Sequence, residues 1–282
     1  MKRLFGFISA CLVMLTSNIF ALDDMIPPED YYQNSSIQWR WALDCLERNP
    51  VDENMMVLDL GCGDGKTSWF IASHFNNTSV LGIDCSQKSI DFCNFQFPKY
   101  GYPNLSFEVK DACRLQGYEV YDRVFSFFSM HWLHDIKSAI SGIYNTLKTD
   151  GKFIMVAPAP TISNLSALAK QVQNRDEWAD YFKDFQDPRT YRSQDEYISL
   201  LENAGFSIDY RLLSDESDYF PTLEALKNWC RPVCVQAQSL PTEELREEFL
   251  TQMITLLQNY LRPVRDGGYL LCYTKIEICA SK

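Results

Sequence analysis

The segment that most limits what this chain can become is residues 54–60, Asn-Met-Met-Val-Leu-Asp-Leu, a run of strand length that stops at Gly61-Cys62-Gly63-Asp64-Gly65. Beyond it, Thr67 to Phe75 carries apolar residues at helical spacing. Strand, glycine loop and helix together are the opening of a nucleotide-binding α/β unit. Gly61 and Gly63 let the backbone turn tightly and approach a ligand without a Cβ clash, and the amides at the helix start offer donors. The whole chain, 282 residues, is long enough for one to two domains of roughly 150 residues. Its 46% hydrophobic, 22% charged and 14% aromatic content is that of a folded globular protein, which excludes collagen-like, coiled-coil and low-complexity readings. With 26 Lys and Arg against 37 Asp and Glu, the net charge of −11 speaks against nucleic acid or an anionic membrane face as partner.

A loop of this kind serves either a dinucleotide or S-adenosylmethionine, and two details separate them. A dinucleotide fingerprint needs G-x-G-x-x-G, and the position of its third glycine is Lys66; the third glycine here is Gly65. Asp59 lies two residues before the first glycine, where a carboxylate can meet the cationic amino group of methionine but would repel a pyrophosphate. The next strand, Ser79 to Ile83, ends at Asp84, about 20 residues past the loop, where an acidic side chain can accept both ribose hydroxyls. A third strand, Leu105 to Lys110, ends in Asp111-Ala112. In a doubly wound sheet adjacent strand ends meet at one crevice, so Asp59, Asp84 and Asp111 are expected to line a single cleft.

With these residues in view, the chain resembles a class I S-adenosylmethionine-dependent methyltransferase. Val57-Leu58-Asp59-Leu60-Gly61-Cys62-Gly63-Asp64-Gly65 resembles the first motif of that family, Leu81-Gly82-Ile83-Asp84-Cys85-Ser86 the second, and Lys110-Asp111-Ala112 the third. Tyr121 to Ser126 resembles its fourth strand and Leu147 to Phe153 the turn into its fifth. The flanks are similar to the juvenile hormone acid O-methyltransferase and trans-aconitate methyltransferase group. They are Tyr32 to Gln38 with Trp41 to Leu46, Phe125 to Leu133, and more weakly Tyr191, Leu200 to Phe206 and Tyr269 to Leu271.

The resemblance implies an α/β, Rossmann-like, doubly wound sheet of seven strands with one antiparallel. It also implies S-adenosylmethionine as cofactor, held by Asp59, Gly61, Cys62, Gly63, Asp84, Cys85, Asp111, Ala112 and Ser129. The pattern of the chain agrees: Asp195 to Ala204 reads as a helix stopped by Gly205, Phe206 to Leu213 as strand six, and Tyr269 to Cys279 as a long last strand. Between them, about residues 220–262 read as a helical insertion with Pro221, Pro232, Pro241 and Pro263 as breaks, a lid over the crevice within one domain of residues 22–282 whose core spans about 50–160.

Methyl transfer from a sulfonium discharges a positive charge as the bond forms, so it gains from a dry, apolar site and close positioning. A carboxylate acceptor, with a pKa of about 4, is already ionised and needs no base. For such an acceptor, Gln38 is expected to hydrogen-bond the carboxylate while Trp132, Trp41 and Trp229 wall its apolar tail. A hydroxyl or ring carbon of a quinone-like metabolite would instead ask for a base, and His131 is the candidate. A third reading is a secreted binding module that keeps the fold. The histidines and carboxylates show no metal-ligand spacing.

The N-terminus and the cysteines point in different directions. Lys2 and Arg3, the apolar run Leu4 to Leu15 and a cut after Ala21 outline an export signal over residues 1–21. The run is too short for a transmembrane helix of ~20 residues. Beyond Cys11 the nine cysteines contain no CxxC pair and read as small buried hydrophobes of a reducing compartment, where S-adenosylmethionine is also found.

Overall fold

A computed structural model describes residues 27–282, apart from 76, 162–164 and 266. The export-signal-like segment lies outside the described residues. Among them, eight strands form one sheet: β1 (Met56–Leu60), β2 (Ser79–Asp84), β3 (Leu105–Val109), β4 (Tyr121–Phe127), β5 (Leu147–Pro158), β6 (Ser207–Phe220), β7 (Arg262–Pro263) and β8 (Tyr269–Ser281). Their order is β3-β2-β1-β4-β5-β8-β6, with β7 beside β8. β1 to β5 run parallel, and β8 is antiparallel to β5, β6 and β7. The seven strands and single antiparallel one read from the sequence are present, and the two-residue β7 is an addition. The strand order reverses between β1 and β4, and at that switch point the carboxyl ends of the strands open a crevice.

The helices that flank the sheet are α1 (Pro28–Asn34), α2 (Ser36–Arg48), α3 (Lys66–His74), α4 (Gln87–Gln96), α5 (Ile136–Thr146), α6 (Leu165–Gln173), α7 (Gln194–Asn203), α8 (Leu223–Cys230), α9 (Val235–Gln238) and α10 (Glu243–Leu257). β1 is buried on both faces from Val57 to Leu60, which is why it reads as an unbroken apolar run. Its alternate residues feed two cores. Val57, Ile71, Val80, Phe125 and Ile154 pack on one side, joined by the apolar faces of α2 and α10, and Leu58, Leu60, Val124, Phe153 and Ile278 pack on the other against α5 and α7. Helix α7 starts with a reciprocal cap between Ser193 and Glu196 and is followed by Gly205 at φ 105°, the stop that the sequence signals. Among the described residues no helix is long and apolar enough to cross a membrane.

Two strands differ from the sequence reading. β6 continues seven residues past Leu213, through Ser-Asp-Glu-Ser-Asp, a stretch with no apolar alternation. What keeps it extended is charge: Glu216 and Asp218 meet Arg40, Glu216 also meets Lys275, and Asp215 accepts from Thr274. The expected turn before β5 is a bulge inside it, with Asp150 at φ 62° and the register to β4 shifting between Tyr121 and Arg123.

Helix α2 is bound to the sheet by ion pairs as well as apolar contacts. Arg40 Nη2 donates to Asp218 at 2.7 Å and to the Tyr273 hydroxyl at 2.8 Å. Arg48 Nε donates to Glu277 at 3.0 Å and its Nη2 makes a second bond; Tyr210 donates to the same carboxylate at 2.6 Å. Burial alone would raise the Glu277 pKa, but the bonds from Arg48 and Tyr210 and the arginine charge hold it below the usual glutamate range. Its contribution to stability is therefore complete above the ordinary pKa of about 4.3 and is lost as the pH falls through the lower folded value. Arg48→Ala should cost about 2 kcal/mol, less than a fully buried pair because Arg48 is 40% exposed. Urea midpoints measured against pH should show this loss at neutral pH and its disappearance in acid; an unchanged midpoint at neutral pH would refute the assignment.

Candidate functional site

The crevice is floored by the glycine loop. Gly61, Gly63 and Gly65 all take positive φ, at 73°, 53° and 72°. Gly61 cannot be larger: a Cβ there would stand 2.2 Å from the Ser129 Cβ, because Ser129 Oγ donates to the Leu60 carbonyl at 2.7 Å and so draws the segment after β4 against the end of β1. Gly65 is closed off in the same way, by Cys93 and Phe107.

The three carboxylates expected at successive strand ends do converge, and Asp64 joins them. Asp59 is 2% exposed and accepts from Ser68 Oγ at 2.6 Å. Burial, only partly offset by that bond, and the neighbouring Asp64 and Asp84 push its pKa up to about 7. Asp84 is fixed by two backbone amides, Gly63 at 3.0 Å and Ser86 at 2.9 Å, one on each oxygen. Asp111 accepts from the Cys113 amide through Oδ1 at 2.8 Å, and its buried Oδ2 has no hydrogen bond. This acidic wall suits a cationic ligand carrying an amine and hydroxyls, and the positive-φ glycines leave room for it against the backbone.

The opposite wall is aromatic. The cavity, about 330 Å³, is bordered by every site residue named from the sequence: the nine cofactor candidates together with Gln38, Trp41, Trp132, Trp229 and His131. That volume is at the lower end for small-molecule sites. Trp229 Nε1 donates to Gln38 Oε1 at 3.2 Å, joining α8 to α2 across the cavity mouth. Trp41 is 2% exposed, its indole donates to Tyr273, and it borders the cavity. Phe128 packs on Trp41 at 4.8 Å and holds φ 59°, a left-handed backbone secured by its amide bond to Val156. For a bulky residue this costs about 1–3 kcal/mol, a strain characteristic of binding sites.

His131 is 6% exposed and stacks on Tyr191 at 5.1 Å. Burial and the nearby Arg189 charge push its pKa down to about 3, so the imidazole is neutral at physiological pH and a weak proton acceptor. Arg189 itself escapes sequence reasoning, since it sits in a loop with no motif. Its side chain is 4% exposed, pairs with Asp187 at 2.9 and 2.8 Å, donates to the Val233 carbonyl, and lies 5.5 Å from the Trp132 ring. The only local signal is Asp187 two residues earlier. Although the sequence shows no metal-ligand spacing, the fold brings Asp111, Cys113 and His134 close together.

A glycine loop closing the first strand, acidic strand ends and a facing aromatic wall define a Rossmann-like methyltransferase site. The chain belongs to the methyltransferase domain family, whose model matches residues 51–205. It is 26% identical over 247 residues to putative methyltransferase 235L of Invertebrate iridescent virus 6, covering 88% of this chain and 89% of the relative. To juvenile hormone acid O-methyltransferase of Bombyx mori it is 28% identical, covering 63% and 67%. To trans-aconitate 2-methyltransferase of Methylobacterium radiotolerans it is 23% identical, covering 90% and 97%. Among solved structures, a putative methyltransferase from Bacillus halodurans matches with a TM-score of 0.59 at 17% identity, covering 86% of this chain and 98% of that one. Haemonchus contortus phosphoethanolamine N-methyltransferase 2, solved with S-adenosyl-L-methionine, matches with a TM-score of 0.56 at 19% identity, covering 86% and 52%. The protein is an S-adenosylmethionine-dependent methyltransferase.

Gly61→Ala tests the floor directly. The clash and the positive φ should cost about 3 kcal/mol and weaken S-adenosylhomocysteine binding by more than about tenfold. Thermal melts and calorimetric titration check both; a variant that keeps wild-type values would mean that the Ser129 contact is looser than described.

Proposed function

We propose that the enzyme O-methylates the carboxylate of a small, largely apolar acid. The observation that carries this reading is the hydrogen bond from Trp229 to Gln38 Oε1. Because the indole N–H can only donate, it claims the acceptor end of the amide and leaves the Nε2 donors for a ligand. A group that presents donors alone beside an aromatic wall selects an acceptor of hydrogen bonds, which an ionised carboxylate is. The names of two relatives support the same class, one a juvenile hormone acid O-methyltransferase and one a trans-aconitate 2-methyltransferase.

In this reading Asp59 meets the cofactor's ammonium group, Asp84 its ribose hydroxyls, and Asp111 with Ala112 its base, while Gly61, Cys62, Gly63, Cys85 and Ser129 shape the contact surface. When bound, S-adenosylmethionine supplies a methyl group on a cationic sulfur to a nucleophile. Gln38 orients the acceptor carboxylate, Trp132 and Trp229 exclude water from its tail, and residues 220–262 act as the lid that brings Trp229 into place. Arg189, the cation beside Trp132, is already neutralised by Asp187, so an acid with one carboxylate suits this wall better than one with three. Methylation of a hydroxyl or ring carbon would need a base, and His131 with a pKa near 3 does not supply one.

Gln38→Glu replaces the donors with a like charge and should raise the acceptor KM by about tenfold or more, with cofactor affinity unchanged. Methyl-ester formation assayed over a panel of apolar monocarboxylic acids provides the readout; no ester from any of them, or a KM equal to that of a surface control, would reject the carboxylate reading. The Asp59 reading has its own signature. Below pH 7 its carboxyl is protonated and must lose a proton to meet the ammonium, so S-adenosylhomocysteine affinity should rise toward pH 7, by up to about tenfold per unit, and level off above it. Asp59→Asn should flatten the profile; a wild-type profile already flat from pH 5 to 8 would count against the role.

A further inference from the structure

Where β3 and β4 end, two turns bring together three different donor side chains. Asp111 and Cys113 follow β3 and His134 follows β4, and one donor atom from each lies within 4.8 Å of the other two. The Cys113 Sγ to His134 Nδ1 distance is 3.6 Å. A tetrahedral zinc ion with Zn–S of about 2.3 Å and Zn–N of about 2.1 Å sets its sulfur and nitrogen ligands about 3.6 Å apart. The third donor is fixed by the backbone: the Cys113 amide holds Asp111 Oδ1 and leaves the buried Oδ2 without a hydrogen bond. The cation facing that oxygen, Arg114 at 3.5 Å, is 64% exposed and is not confined there. His134 is exposed, which gives an ion a path in. Carboxylate, thiolate and imidazole are the donor set of a borderline divalent metal, whereas magnesium and calcium take oxygen ligands.

We propose that Asp111, Cys113 and His134 bind a zinc-class divalent ion whose presence competes with the cofactor for the crevice. The competition rests on the assignment of Asp111 to the cofactor: Asp111 and His134 both border the cavity, and an ion that takes Oδ2 withdraws it from the cofactor. Burial keeps the Cys113 thiol protonated at neutral pH, its pKa pushed up to about 11, so metal binding forms the sulfur–metal bond and releases one proton to solvent.

Cobalt(II) serves as the spectroscopic probe, added to the full chain in metal-free buffer. A thiolate-to-cobalt charge-transfer band should saturate at one equivalent, vanish in Cys113→Ser, and require at least about tenfold more metal in His134→Gln. Saturating zinc should raise the Kd for S-adenosylhomocysteine at least about tenfold in the wild type and leave Cys113→Ser unaffected. Wild-type S-adenosylhomocysteine affinity of both variants without metal would establish that they are folded; should Cys113→Ser not fold, His134→Gln, altered at an exposed position, carries the same comparison. Absence of one-equivalent binding, a band that persists in Cys113→Ser, or wild-type affinity indifferent to zinc would overturn the proposal. Failure of the cofactor assignment would show separately, as an Asp111→Ala variant that binds S-adenosylhomocysteine normally without metal.

Discussion

The placement of helix α2 depends on charge. Lys275 and Glu277 lie on β8 with 2% and 0% exposure, positions that an uncompensated ion could not occupy without a cost of several kcal/mol. Glu277 is matched by Arg48, and Lys275 by Glu216, with the lysine ammonium also 5.4 Å from the Trp41 ring. Arg40 completes the set by tying Asp218 and Tyr273 to the helix. Apolar contact alone would let a helix slide or rotate on a sheet by a fraction of a turn. Fixed ion pairs at both ends of α2 forbid this, and Gln38 and Trp41, carried on the same helix, inherit that precision.

The cavity is divided by its electrostatics. Carboxylates from three strand ends and the glycine loop gather on one side, and indole and phenyl rings on the other. A net charge of −11 spread over the surface would do little for specificity, but these acids are largely withdrawn from solvent, where their influence on a cation is stronger. The Asp84 carboxylate is held by two amides in advance of any ligand, so little ordering remains to be done on binding.

The part of this arrangement legible in the sequence is the part that obeys local rules. Central parallel strands are apolar throughout, the tight loop after the first one is built on glycines, and acids that end such apolar runs stand out against them; residues 54–65, Asp84 and Asp111 could therefore be read directly. The polar half of β6 could not, because Ser214 to Asp218 becomes a strand only through partners on α2 and β8 that are distant in sequence. Arg189 was hidden for a similar reason, as its burial depends on Asp187, Val233 and Trp132 meeting in space. Cys113 and His134, 21 residues apart, are joined by the crossing of two loops rather than by any periodic spacing.

None of the nine described cysteines is in a disulfide, and seven are buried. Burial pushes the thiols of Cys45, Cys62, Cys113, Cys230, Cys234 and Cys279 up, which leaves little thiolate to react. Cys85 and Cys272 are the half-buried pair, and both border the cavity, the first after the end of β2 on the acidic side and the second on β8 by the aromatic wall. The two thiols thus mark the two halves of the site, one on each. Shielding of one or the other by a bound compound would tell which half it occupies before any methyl group has moved.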